Sequence, residues 1–420
     1  MITGYYLINV LLGVISINFI RNKRFILNNI FFSSHIFFFF SLVVIGSFYV
    51  YFPSYSPYNN IDYYSDDFFI VLTLYQIILL IFCFFLSSYN NKSKNQIINL
   101  YKIRLRKIYY YFPLFLSFVI VLHSLIVDGI PIFYRIIFTE ISNDAIVLER
   151  NLFFEEEESF FIKELGFYIC PIFMCIYTFI KKEISKNIFN KTIFILNLIY
   201  ASFLSLSFLH KTPLLILFLS IFICYYLINN QSFSFKKVLL VFISLFLLII
   251  VQYYIVLKNQ DIISLWTVFN GILNRIFGVY PLGLALAIDI TSETGYLMGN
   301  TIPNFLGLFP NSINLSKIIH YELFGYDGYA PSPSLGYAYA NFGIFGVLFF
   351  SIFSSLFLII LNQSVRKINN IYIVILIYCI FIPQVMFFSM SSIFDSILNP
   401  RDYVIYGSII LIMLLRIRNK

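Results

Sequence analysis

The chain has 420 residues, 60% of them hydrophobic and only 11% charged, with a mean hydropathy of +0.86. Soluble domains sit nearer 45–50% apolar and about 25% charged, so a single water-soluble core is excluded. The formal charge of +8 is dispersed over many short segments beside apolar runs, where basic groups meet anionic lipid; it does not point to nucleic acid.

Apolar runs of membrane-crossing length recur where a β-barrel would show short alternating strands, which predicts a helical protein. Taken in chain order, eleven runs qualify: 2–20, 26–52, 68–88, 109–127, 160–180, 192–209, 213–229, 238–257, 336–361, 370–390 and 402–415. The first starts at Ile2 with no basic segment before it, and its positive flank Arg21-Asn-Lys-Arg24 follows it. It therefore reads as a retained helix and not a cleaved leader. His35 and His123 fall inside apolar runs and read as packing residues. The last run is short and needs Arg416 or Arg418 to reach the interface. All five cysteines (Cys83, Cys170, Cys175, Cys224, Cys379) lie in apolar runs, where cysteine acts as a small hydrophobe. The Cys170 and Cys175 spacing suits neither a zinc pair nor a redox motif.

The segments between runs sort by charge. Segments 21–25, 89–108, 181–191, 230–237, 362–369 and 416–420 hold 20 of the 28 Lys and Arg residues, and a single acid, Glu183. The positive-inside rule makes this face cytoplasmic, with the amino terminus outside and the carboxy terminus inside. Moving any one span spoils the sorting. Two large outer segments follow, 128–159 and 258–335, within a single integral-membrane domain, 1–420. The first carries Arg135, Arg150 and the run Glu155–Glu158, and its residues 132–154 suggest a short interfacial helix. The glutamates read as a solvated edge; a divalent-cation site would need converging oxygens that a linear run does not supply.

The segment Lys258–Leu335 is the main interruption of the hydrophobic pattern. It holds 13 of the chain's 30 Gly and Pro residues and the only tryptophan, Trp266. No phosphate-binding glycine loop, nucleophile elbow or zinc-protease helix is present, and no cofactor or metal is implied. The outward cations stand out instead. Lys211 sits in the turn His210-Lys-Thr-Pro213, at the outer boundary of two spans. Arg275 interrupts the apolar stretch Gly271–Ile288, which is too broken by Gly, Pro and Arg for a comfortable span and is expected to lie on or dip into the outer leaflet. A guanidinium there is costly without an anionic partner, and its planar fork suits phosphate. Ordinary phospholipid is the alternative partner, and the same choice holds for Arg135, Arg150 and Arg401.

The segment Gly328-Tyr-Ala-Pro-Ser-Pro-Ser-Leu-Gly-Tyr-Ala-Tyr-Ala-Asn-Phe-Gly343-Ile-Phe-Gly346 opens a span directly after this outer segment. It resembles the span entry of bacterial O-antigen polymerases, the oligosaccharide repeat-unit polymerases. The His210–Pro213 turn is similar to that family's basic turn between two central spans, and Arg275 falls where the family commonly places an arginine. The resemblance implies polymerisation of undecaprenyl-diphosphate-linked oligosaccharide units at the periplasmic face of the inner membrane. It implies membrane lipids, a chain-length regulator and a flippase as partners. It further implies Arg275 and Lys211 as groups stabilising the departing diphosphate, and His320 or Glu322 as the base, with Asp289, Glu293 and Asp327 as other outward carboxylates. Arg135, Arg150, Asn341, Tyr337 and Arg401 are then substrate contacts, and Tyr326 and Tyr329 further faces for sugar stacking.

One departure bears on the assignment. The related O-antigen ligases, and the polymerases closest to them, carry a His-Asn pair shortly before the Gly-x-x-Gly entry. This chain has Pro331-Ser-Pro-Ser334 there and no His-Asn pair anywhere. The ligase remains an alternative reading, as does a flippase or transporter of lipid-linked sugars, although ionisable groups avoid the span centres. An outward membrane acyltransferase lacks a His-containing acceptor motif.

Overall fold

The computed structural model describes residues 2–53, 65–90, 103, 105–131, 133–135, 162–207, 211–229, 247, 250, 265–302, 313–325, 328–330, 332–368 and 370–388. Every regular element among them is helical. Seven helices are long and apolar enough to cross a membrane: Ile2–Ile20, Ile30–Tyr51, Asp66–Ser88, Ile108–Val127, Ile162–Ser185, Ile188–Leu206 and Ser334–Arg366. Three shorter apolar helices cover Pro213–Ile228, Val279–Ser292 and Ile371–Val385. The chain is thus a multi-pass helical membrane protein. Nine of the eleven expected runs coincide with described helices; 238–257 and 402–415 lie outside the described residues, apart from positions 247 and 250. So does the expected interfacial helix, except for a helical turn at 133–135, and so do the four glutamates.

The chain divides into two compact units. The first comprises Met1–Gln96, Asn270–Lys367 and Gln384–Asn399. Its helix α1 (Ile2–Ile20) buries one thin seam, Asn9, Gly13, Ser16 and Ile20, at the spacing of a single helix face. Leu7 and Leu11 stay exposed, as suits a lipid-facing surface. Asn9 is the polar centre of the seam. It donates to Tyr51 Oη at 3.1 Å and accepts from Gln76 Nε2 at 2.7 Å. Interhelical bonds of this kind contribute about 0.6 kcal/mol each in membranes.

Next come α2 (Lys23–Asn28) and α3 (Ile30–Phe39), which runs through a π-turn at Phe40–Val44 towards α4 (Phe48–Tyr51). The break between α2 and α3 frees the Asn28 carbonyl, and the buried Asn362 amide donates to it. His35, fully buried on α3, is hydrogen-bonded to Tyr75 on α5 (Ser65–Asn90), in keeping with a packing role.

The second unit comprises Ile97–Phe269, Ile368–Pro383 and Pro400–Lys420. It contains α6 (Ile108–Val127), α7 (Cys170–Ser185), α8 (Ile188–Leu206) and α9 (Lys211–Asn229). Helix α7 is buried from Cys170 to Ile180 and packs against the other three. It is entered through a π-turn, Leu165–Ile169, in which the Cys170 N–H reaches back five residues to the Leu165 carbonyl. In the same register Pro171 has no N–H to offer Gly166. Ser117 Oγ of α6 fills that gap, donating to the Gly166 carbonyl at 2.6 Å.

The same device recurs on α14 (Ile371–Phe388). Pro383 leaves the Cys379 carbonyl without its i+4 donor, and Ser220 Oγ of α9 donates to it at 2.8 Å. Prolines are tolerated in membrane helices where neighbouring side chains meet the freed backbone groups in this way. His123 departs from the expectation of a packing role. It is exposed on α6, because that helix buries only the stripe Tyr109, Pro113, Ser117, Ile120 and Ser124, and position 123 falls off it.

Candidate functional site

The described part of Lys258–Leu335 is largely helical, where a broken outer segment was expected. It forms α10 (Leu265–Phe277), α11 (Val279–Thr294) and α12 (Leu315–Phe324). Gly278 and Pro281 do not interrupt a helix interior. Gly278 is the joint between α10 and α11, and Pro281 falls in the first turn of α11, where a missing N–H costs little. Residues 281–288 are buried without a break. Gly46 packs against the Phe277 carbonyl, leaving no room for a Cβ, and Tyr49 Oη reaches Asn274 Oδ1 at 3.3 Å.

Helix α12 starts at Asn314, whose Oδ1 accepts from the Lys317 N–H at 3.1 Å, an ordinary N-cap. It ends at Gly325 in the left-handed region, φ 74°. The chain then doubles back. The Ala330 N–H donates to the Ser316 carbonyl at 3.1 Å, and Ser316 Oγ donates to the Ala330 carbonyl at 2.7 Å. Ser332 Oγ is bonded to the Gly283 carbonyl of α11 at 3.1 Å. These ties deliver the chain to α13 (Ser334–Arg366).

Helix α13 is broken at Gly343, whose φ 61° and ψ −145° are non-helical and open in practice to glycine alone. A break frees carbonyls on its amino-terminal side. A strap, Gly295–Ile302, supplies their donors: the Leu297 N–H donates to the Ala340 carbonyl at 2.9 Å, and the Met298 N–H to that of Asn341 at 3.1 Å. The Asn341 side chain clamps the strap from the other direction. Its Oδ1 accepts from the Gly299 N–H at 2.9 Å, and its Nδ2 donates to Thr301 Oγ1 at 2.5 Å and to the Tyr337 carbonyl at 2.8 Å. Tyr296 lies over Gly343, where a Cβ would fall 2.6 Å from its ring. Asn341 and Gly343 are therefore the parts of a clamped helix break, and at Gly346 a Cβ would fall 2.1 Å from the Ala338 carbonyl oxygen.

Beside the break lies a pocket of about 340 Å³. Thr301, Ser334, Tyr337 and Asn341 are among its lining residues, and phenylalanines of α13 make up most of the remainder. Among the described residues no charged side chain takes part in the lining.

The expected site residues are distributed as follows. Asn341 and Tyr337 line the pocket, with the Asn341 amide engaged by the strap. His320 and Glu322 lie on α12. The His320 ring is buried against Phe324, with centroids 4.6 Å apart, and Gly328 covers it so closely that a Cβ there would fall 2.7 Å from Nδ1. His320 has 5% of its surface exposed. Glu322 is exposed. Tyr329 is exposed, with Lys317 Nζ 5.3 Å from its ring centre.

Arg275 is carried by α10 in the first unit and Lys211 opens α9 in the second; their side chains are not among those described. Arg135 is exposed in the turn beyond α6. Arg150, Arg401, Tyr326 and Asp327 lie outside the described residues, as does the Glu293 side chain. Asp289 is half-buried on α11. Among the described residues no three His, Cys, Asp or Glu side chains converge on a metal-sized site.

Two features were not anticipated. One is the strap, whose signal is the turn-former spacing Gly295, Gly299 and Thr301. The other is Lys163, buried and paired with Asp128 at 3.1 Å, while Ser124 Oγ donates to the same carboxylate at 2.7 Å. Comparison with known families, curated proteins and solved structures finds no match for this chain.

Proposed function

We propose that this chain joins lipid-diphosphate-linked oligosaccharide units into a surface polysaccharide, O antigen or capsule, at the periplasmic face of the bacterial inner membrane. The observation that carries the reading is the segment Gly328–Gly346. Its residues resemble the span entry of repeat-unit polymerases, and the same residues form a clamped helix break beside a largely apolar pocket on a membrane helix. Charge sorting supports an outward placement for this end of α13.

In the proposed reaction an acceptor sugar hydroxyl attacks the anomeric carbon of the donor glycan. The new glycosidic C–O bond forms as the bond to the lipid diphosphate breaks. The diphosphate leaves with the electron pair, and the hydroxyl proton passes to a base. Arg275, in the same unit as the break, is assigned to the departing charge, where a fixed cation is most effective. Glu322 is the better-placed base, because it is exposed whereas His320 is covered.

A second reading, a transporter of lipid-linked glycans, draws on the broken α13, since discontinuous helices are a common feature of transporters. Deleting the gene and profiling surface glycan separates the two. Single-unit glycan on the surface supports polymerisation; units that never reach the outer face indicate transport. Free lipid-linked polymer with bare acceptors indicates a ligase.

A further inference from the structure

We infer that the pocket beside the Gly343 break holds the first part of the hydrocarbon tail of the lipid-linked donor. The inference rests on the proposed lipid-diphosphate substrate and adds where its tail lies. Phe342, Phe345, Phe349, Phe350 and Phe353 follow one another at helical spacing along one side of α13. Beyond the break, from Phe345 to Phe353, the row extends about 12 Å at 1.5 Å per residue, so the site is elongated like a chain.

The lining has a polarity order. Along α13 the lining runs from Ser334, Tyr337 and Asn341, which is bonded to Thr301 of the strap, to phenylalanines and Gly346. None of the described lining residues offers a charge to a charged ligand inside. The headgroup of an amphiphile must therefore stay at or beyond the strap while its tail enters the phenyl row, and this order matches an anionic lipid entered tail-first. The row also opens sideways: Phe345 is 82% exposed and Phe349 67%, on a helix with the composition of a membrane span. A tail can thus enter from the bilayer without crossing water. The inner wall is fixed, because Phe350 is buried and stacks on Tyr75 at 6.0 Å.

The full-length protein in phosphatidylcholine nanodiscs tests this with a diazirine-tagged polyprenyl diphosphate, followed by peptide mapping. Label is expected on the 342–353 peptide, displaced by untagged polyprenyl diphosphate and not by added phosphatidic acid with ordinary acyl chains. Ala338→Trp, which fills the pocket, should lower that label by about tenfold, the effect of removing the burial of about two methylene groups. Its thermal unfolding, compared with wild type, separates a filled pocket from a misfolded chain. Label elsewhere, or equal displacement by phosphatidic acid, overturns the inference as an ordinary lipid contact. In a well-folded Ala338→Trp, undiminished label does the same. Polymer formation without label at 342–353 would remove the tail site and leave the proposed function standing. Label there in a protein that makes no polymer would do the reverse.

Discussion

Replacing Gly343 by Ala puts a side chain where the fold has no place for one. The backbone conformation, φ 61° and ψ −145°, costs a residue with a Cβ about 1–3 kcal/mol. The new Cβ also falls 2.6 Å from Cζ and 2.7 Å from Oη of Tyr296. Tyr296 is half exposed at 47% and can swing outward, giving up its edge contact with Tyr339 at 6.0 Å, worth about 0.5–1.5 kcal/mol. Together these lower the cost of opening the strap by about 2–4 kcal/mol. Hydrogen exchange reads that opening directly at the Leu297 and Met298 amides, whose rates should rise roughly 30- to 1,000-fold. Gly271 is the control, since a Cβ there meets nothing within 4 Å; its change to Ala should be neutral or stabilising by up to about 1 kcal/mol. Unchanged protection of the two amides in Gly343→Ala, or an equal change in Gly271→Ala, would refute the clamped break.

Asn341→Ala removes the bonds to Gly299 and Thr301 and should loosen the strap by about 2–4 kcal/mol, as two buried partners lose their mates; exchange at Gly299 reports it. Ser220→Ala should destabilise the protein by about 1 kcal/mol by orphaning the Cys379 carbonyl. That cost should largely vanish in a Pro383→Ala background, where the helix supplies its own donor; a denaturation double-mutant cycle measures the coupling. Tyr134 lies beyond α6, and burial pushes its hydroxyl up to about 12, partly offset by its bond with Ser207. Its folded-state value is above the ordinary 10, so its contribution is complete below pH 10 and declines between pH 10 and 12. Tyr134→Phe should flatten that part of the stability profile in a pH-dependent melt.

The spans were legible in the sequence because hydrophobic length is a local property. Nine of the expected runs match helices, and the buried seam of α1 follows helical spacing. What stayed hidden depends on distant contacts. Hydropathy treats Gly278 and Pro281 as breaks in one stretch, whereas the fold uses them as a joint and a first turn. Nothing near Pro171 or Pro383 in the sequence shows that Ser117 and Ser220 come to the carbonyls these prolines leave open. Asn341 drew attention by resemblance, but its work as a clamp involves Gly299 and Thr301, some forty residues earlier. The close approach of Gly328 to the His320 ring is likewise invisible to any local pattern.

Reconstituting the purified chain in vesicles with a lipid-diphosphate-linked repeat unit puts polymerisation itself to the test. The proposed chemistry predicts a ladder of lipid-linked glycans with one lipid diphosphate released for each new bond, and loss of the ladder in Arg275→Ala with the protein still folded. Units that remain single in the presence of folded wild-type protein, or merely change leaflet, would contradict it.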